Sequence, residues 1–165
     1  MLPSSTTFNV ESNVKVIPYE ERRKYFRVDF IQLLEADMTI LEINGKRTHV
    51  GSTKVVVKDM GPGGLRFVSN IRLPIKRDLV LQFTTELLGK EIKVYGCPVW
   101  MEVVLEQLYE YGVEFTFDEN DRMYLTGVLN QVQVKMRNNS KFVHGRFVSN
   151  PLIGYFKQVS DLGYQ

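Results

Sequence analysis

Two short runs hold the groups with the most chemical potential. Arg22-Arg23-Lys24-Tyr25-Phe26-Arg27 packs fixed cations around two aromatic rings, and Asp59-Met60-Gly61-Pro62-Gly63-Gly64 places a carboxylate at the head of a glycine-rich turn. A guanidinium presents a planar fork of donors, so arginines hold phosphate oxygens, or the O6/N7 edge of guanine, through two-point charge-assisted hydrogen bonds. A carboxylate accepts from guanine N–H groups, and glycine lets backbone approach a flat base. Together the runs supply what a phosphorylated purine requires. Arg23 and Arg27 are four residues apart, so they share roughly one face on a strand or on a helical turn. Each charge-assisted hydrogen bond to a dianion contributes about 1.5–3 kcal/mol. The plainer alternative is a solvated basic stretch pairing with Glu20 and Glu21, worth little energetically; the downstream turn favours a ligand.

Other residues extend this picture. Asp59 is the candidate guanine acceptor and Gly64 the position of close backbone approach. Pro62 suits position i+1 of a type II turn, with Gly63 supplying the positive φ that such a turn needs next. Arg66, just past the turn, either reaches the same pocket or is ordinary strand-surface charge. Tyr25 and Phe26 could stack on a base, with barrel packing the expectation for at least one of them. His49 and His144 have no ligand-like spacing with the single cysteine, Cys97, so neither a metal site nor a disulfide framework is expected. Cys97, beside Pro98, reads as a small core residue. No P-loop, nucleophile elbow or zinc-protease motif is present, which leaves an enzyme the least supported class.

The elements that must position these groups are mostly strands. Val28 to Glu42 alternates in part and ends at Asn44-Gly45, a hairpin signal. Thr48 to Lys58 is β-branched, and Leu65 to Val68 alternates after the glycine turn. Leu79, Leu81 and Phe83 mark another strand. Ile92, Val94 and Trp100 mark one interrupted by Gly96 and Pro98, which predicts a bulge or an edge. Tyr109, Tyr111, Val113, Phe115 and Phe117 alternate most cleanly. Short strands at near-regular spacing predict a small barrel or sandwich. One helix follows: Asp118 to Asp121 caps it, and Leu125, Val128, Leu129, Val132 and Met136 repeat at three- and four-residue steps. The polar stretch Met1 to Asn13 reads as an arm. Ser140 to Gln165 is too apolar for a free tail and either packs on the barrel, forms a short helix or makes a partner interface.

With 44% hydrophobic and 24% charged residues, the composition suits a soluble core. The net charge of +2 gives no global field of the kind a non-specific nucleic-acid binder carries, so an anion site must be local. No apolar run approaches a membrane span, and the first residues lack a signal-peptide pattern. A cytoplasmic protein without membrane insertion is therefore expected.

The ordered pair of runs resembles the signature of the PilZ domain family, R-x-x-x-R ahead of the first strand and then [D/N]-x-S-x-x-G in a strand-to-strand turn. Arg23-Lys24-Tyr25-Phe26-Arg27 matches the first half. Asp59 to Gly64 matches the second, with Gly61 where the family carries serine, and Tyr111-Gly112-Val113-Glu114-Phe115 is similar to its late strand. The resemblance covers roughly Glu20 to Asn138. It implies a mainly β fold, a small antiparallel β-barrel with a C-terminal α-helix. The implied organisation is an N-terminal arm over 1–20, the barrel and helix over 21–138, and an extension over 139–165. It further implies a bacterial, non-enzymatic receptor for cyclic di-GMP, with no cofactor and no metal. Its site would be Arg22, Arg23, Arg27, Asp59, Gly61, Gly63, Gly64 and Arg66. Arg22 would touch the ligand or set how many ligands bind. The arginine arm would close over the nucleotide and alter a surface seen by a protein target. Losing the serine hydroxyl at Gly61 costs around 1 kcal/mol, about five-fold in affinity. The alternatives are a ligand-independent interaction module of the same family and, against the charge balance, a barrel for single-stranded nucleic acid.

Overall fold

The computed structural model describes residues 25–48, 50–116, 118–138, 144–148 and 151–163, with side chains through 157 in the last segment. The arm over 1–20, with Arg22 and Arg23, lies outside the described residues.

Seven strands are present: β1 (Val28–Ile43), β2 (Lys46–Arg47), β3 (Ser52–Gly61), β4 (Gly64–Ser69), β5 (Leu79–Leu87), β6 (Lys90–Leu105) and β7 (Leu108–Phe115). They pair antiparallel in the order β2-β1-β3-β4-β7-β6-β5, and β5 returns to pair with β1. The sequence pattern allowed a barrel or a sandwich; the return of β5 makes it a closed barrel, with β2 a short flap on β1. Closure works because β1 serves two neighbours. Its residues Val28 to Thr39 pair with β3, and Asp37 to Ile43 pair with β5. Full closure removes the raw edges on which an open sheet would associate.

Local chemistry accounts for the turns. Asn44 and Gly45 both have positive φ (56° and 79°), the geometry for which Asn-Gly is selected in two-residue hairpins. The interruption at Pro98 is a register shift between Pro98 and Trp100 on β6, as proline and glycine in that strand predicted. The core is filled from alternate positions of every strand. Phe67 lies between Phe83 and Tyr111, with ring centroids 4.9 Å from each. The phenol of buried Tyr111 donates to the Ile71 carbonyl (2.7 Å) and accepts from Leu73 N–H (2.7 Å), so its polar end is satisfied. Cys97 is buried, as a small core residue.

Helix α1 (Glu119–Arg137) has Asp118 as N-cap, its carboxylate accepting from Asp121 N–H at 2.9 Å. Leu125, Val128, Leu129 and Val132 are buried in the core, while Lys135 and Arg137 lie in the last turn, where the helix dipole favours cations.

Beyond α1, residues 144–148 form a strap between β1 and β5. Val148 N–H donates to Leu33 O (2.8 Å), Glu35 N–H to Arg146 O (2.7 Å) and Leu88 N–H to His144 O (2.6 Å). Arg146 clamps Glu35 (2.7 Å) and Asp37 (2.8 Å). Helix α2 (Leu152–Gly163) follows. Its Tyr155 donates to the other Glu35 oxygen at 2.7 Å, and Tyr155 and Phe156 pack with Val56, Val68 and Leu108 in a second apolar cluster. Of the three fates open to the apolar C-terminal stretch, packing on the barrel and forming a helix both occur.

Burial alone would raise both carboxyls of this clamp. Hydrogen bonds and charge from Arg146, with Tyr155 and Lys54 assisting, outweigh burial and hold Glu35 and Asp37 below their ordinary values of 4.5 and 3.8. A depressed folded-state pKa stabilises above the unfolded value, and that contribution is lost as pH falls through the folded value. Arg146→Met should therefore be less stable than the parent at neutral pH, with the gap in unfolding temperature narrowing as pH falls below the ordinary carboxyl values of 4.5 and 3.8. A gap independent of pH in thermal unfolding would show that the clamp contributes nothing electrostatic.

Candidate functional site

The site forms where the chain enters the barrel. Strands β3 and β4 are joined through Pro62-Gly63, with Gly61 and Gly64 as cross-strand partners. Gly63 does not take the positive φ expected of a type II turn; among described glycines that conformation belongs to Gly45 and Gly89. Glycine is required here by contact instead. A Cβ on Gly63 would stand 2.6 Å from the Tyr25 ring, and one on Gly61 would stand 2.2 Å from the Phe26 carbonyl oxygen. Residues 25–27 therefore lie across the turn, seated on the missing side chains. The turn is itself pinned to β7 by Phe115 N–H donating to Gly63 O at 2.9 Å.

Asp59 organises the cations. Its side chain is only 2% exposed, and its two oxygens take Arg27 Nη1 at 2.8 Å and Arg66 Nε at 2.6 Å. Arg66 continues to Glu110 (3.2 Å), whose other oxygen takes Lys58 (2.8 Å). Charges thus alternate from Arg27 on the arm to Lys58 on β3. A carboxylate this buried is tolerable only with such partners. In this arrangement Asp59 orients two arginines, and both of its oxygens are occupied by them.

Above the turn opens a cleft of about 380 Å³. Arg27, Gly61, Gly63 and Gly64 border it; Asp59 and Arg66 are not among the residues that line it, and Arg66 pairs with Asp59 and Glu110. Of the two aromatic residues in the arm, Phe26 packs partly against the main core while also touching the cleft. Tyr25 turns its ring toward the cleft, with the Arg122 guanidinium 5.3 Å from the ring centroid. Sequence reasoning missed Arg122 and Trp100 as cleft residues. Trp100 is 39% exposed and lies opposite Gly112 in the β6–β7 register, where a Cβ would stand 2.0 Å from the indole nitrogen. Gly112 and the chain's lone tryptophan were both visible in the sequence, but only the β6–β7 register sets them opposite each other. Arg122 gave no signal, since the first turn of a surface helix is ordinarily polar. Among the described residues, no cluster of three or more His, Cys, Asp or Glu is placed to hold a metal ion.

Residues 21–131 match the model of the PilZ domain family. The chain belongs to this family. The structure of Bacillus subtilis inhibitor of motility (MotI/DgrA) is similar, with a TM-score of 0.52 and 15% identity over 70% of this chain. The likeness covers 53% of that protein, so this chain spans about half its length, and at such identity it is a likeness of fold. No curated protein sequence matches. No described helix is long and apolar enough to cross a membrane.

In this PilZ domain the glycine at position 61 is a structural seat as well as a missing hydroxyl. Gly61→Ser should thus fail to behave as a simple restoration. Its Cβ must displace the Phe26 carbonyl, lifting the arm and exposing the bond after Arg27 to trypsin. Faster cleavage there than in the parent is the expected result, and unchanged cleavage would show that the seat yields without cost. Gly112→Ala should unseat the Trp100 indole and shift its fluorescence emission, which the chain's single tryptophan reports without interference.

Proposed function

We propose that this PilZ domain is a bacterial, cytoplasmic receptor for cyclic di-GMP, acting without catalysis on a protein target. The observation that carries the reading is the cleft itself. The Arg27 guanidinium, aimed by buried Asp59, shares it with a glycine floor and with aromatic residues that include Tyr25 and Trp100. A cyclic purine dinucleotide offers two phosphates for arginine forks and flat bases for aromatic faces and glycine backbone. Arg23, four residues before Arg27, and Arg22 would join from the arm once ligand is bound. Binding then converts the arm into an ion-paired clamp, and the changed surface is what a protein partner reads. For Asp59 the geometry favours a supporting role, holding Arg27 and Arg66, unless an arginine moves off its carboxylate to admit a guanine.

A second reading has its own support. Both Asp59 oxygens are already paired with arginines, and Gly61 offers no hydroxyl. A domain with both oxygens committed and no hydroxyl at position 61 would serve as a ligand-independent interaction module.

Titration calorimetry with cyclic di-GMP separates the two. Saturable binding by the intact chain, lost in Arg23→Ala and Arg27→Ala, is expected, and the fitted stoichiometry gives one ligand or two. No heat and no thermal stabilisation at high ligand concentration would favour the interaction module.

A further inference from the structure

Among the described residues, two arginines border the cleft, and they come from opposite sides of it. Arg27 arrives with the arm. Arg122 arrives from the first turn of helix α1, ninety-five positions later in the chain, and lies outside both halves of the sequence signature. We propose that Arg122 is a direct contact of the bound nucleotide, donating to a phosphate oxygen, so that helix α1 becomes part of the binding site. This rests on the reading of the cleft as a cyclic di-GMP site and adds a residue to it.

Four observations support the assignment. The Arg122 guanidinium is already directed at the cleft, 5.3 Å from the Tyr25 ring centroid, with Nε 3.4 Å from the Pro62 carbonyl of the glycine turn. That second contact is long for a hydrogen bond. Its carboxylate partner, Glu119, lies three residues away on the same helix and is 74% exposed. Water screens the Glu119 end of this pair, while the Arg122 side chain is itself only 20% exposed, so a phosphate would compete with Glu119 for the guanidinium. The acid on the cleft wall, Glu114, has Arg77 at 2.6 Å, a solvent-exposed pair that offsets only part of its charge toward a phosphate. Finally, Gly61 contributes no hydroxyl, so the turn has one donor fewer than the signature provides and a further donor has a place to act. A ligand with two phosphates, held by Arg27 on one side, would present its other side to the helix.

The test is calorimetry with cyclic di-GMP on the intact chain, Arg122→Ala, Arg122→Lys and Tyr25→Leu, and on Tyr25→Leu combined with Arg122→Ala. Thermal unfolding checks that each variant is folded. Loss of a charge-assisted hydrogen bond should weaken binding by about ten-fold or more in Arg122→Ala, with lysine recovering part of it as a point charge. The same fold loss should appear when Arg122 is removed from the Tyr25→Leu background, because a direct contact does not need the ring. If Arg122→Ala has no further effect in that background, Arg122 acts only by holding the arm, and the proposal is wrong. Unchanged affinity in Arg122→Ala alongside binding by the parent overturns the proposal while leaving the receptor reading intact. A parent chain that binds no cyclic di-GMP overturns both.

Discussion

Closing a sheet of short strands onto itself demands one strand long enough to pair on both sides, and here β1 is that strand. It cannot follow both neighbours along its whole length. Its register against β3 shifts between Asp29 and Leu34, and β5 pairs only with its later part. Where β1 and β5 diverge, backbone donors and acceptors need partners. The strap of residues 144–148 provides them, with Arg146 clamped on Glu35 and Asp37 as its anchor. At the other end, the same strand fixes where the arm enters. Val28 pairs with Met60 and Asp29 with Asp59, which leaves Arg27 beside the glycine turn. Closure thus sets the position of the site and the docking of the C-terminal segment alike.

Given that position, burial does the rest. Asp59 has almost no access to water and would be strongly disfavoured as an isolated charge. Arg27 and Arg66 each take one of its oxygens, and Glu110 and Lys58 extend the alternation across three strands. Such a network adds little to net stability over an apolar replacement, but it gives Arg27 a single direction. A guanidinium held in advance loses less freedom on meeting an anion. The glycines act in the same sense, since each removed Cβ is a place where the arm or the indole can settle.

Much of this was written locally. The strand alternation, Asn44-Gly45, the bulge beside Pro98 and the capped, periodic α1 follow from spacing and turn chemistry that involve near neighbours only. The two signature halves were visible for the same reason, as short runs of residues with unusual chemistry. The expected positive φ at Gly63 was a local inference too, and it failed because a contact from residues far earlier in the chain, Tyr25 against the turn, dictates that glycine. Trp100 was seen only as a strand residue, since its seat on Gly112 depends on the pairing of β6 with β7.

The sequence by itself determined the elements, the family and the candidate cations, because periodicity, caps and motifs are read over a few residues. The tertiary structure decided the return of β5 to β1, the double pairing of Asp59, the engagement of Arg66 with Asp59 and Glu110, and the arrival of Trp100 and Arg122 at the cleft. Those outcomes depend on strand register and barrel closure, which bring together residues tens of positions apart, and no local pattern encodes which of them will meet.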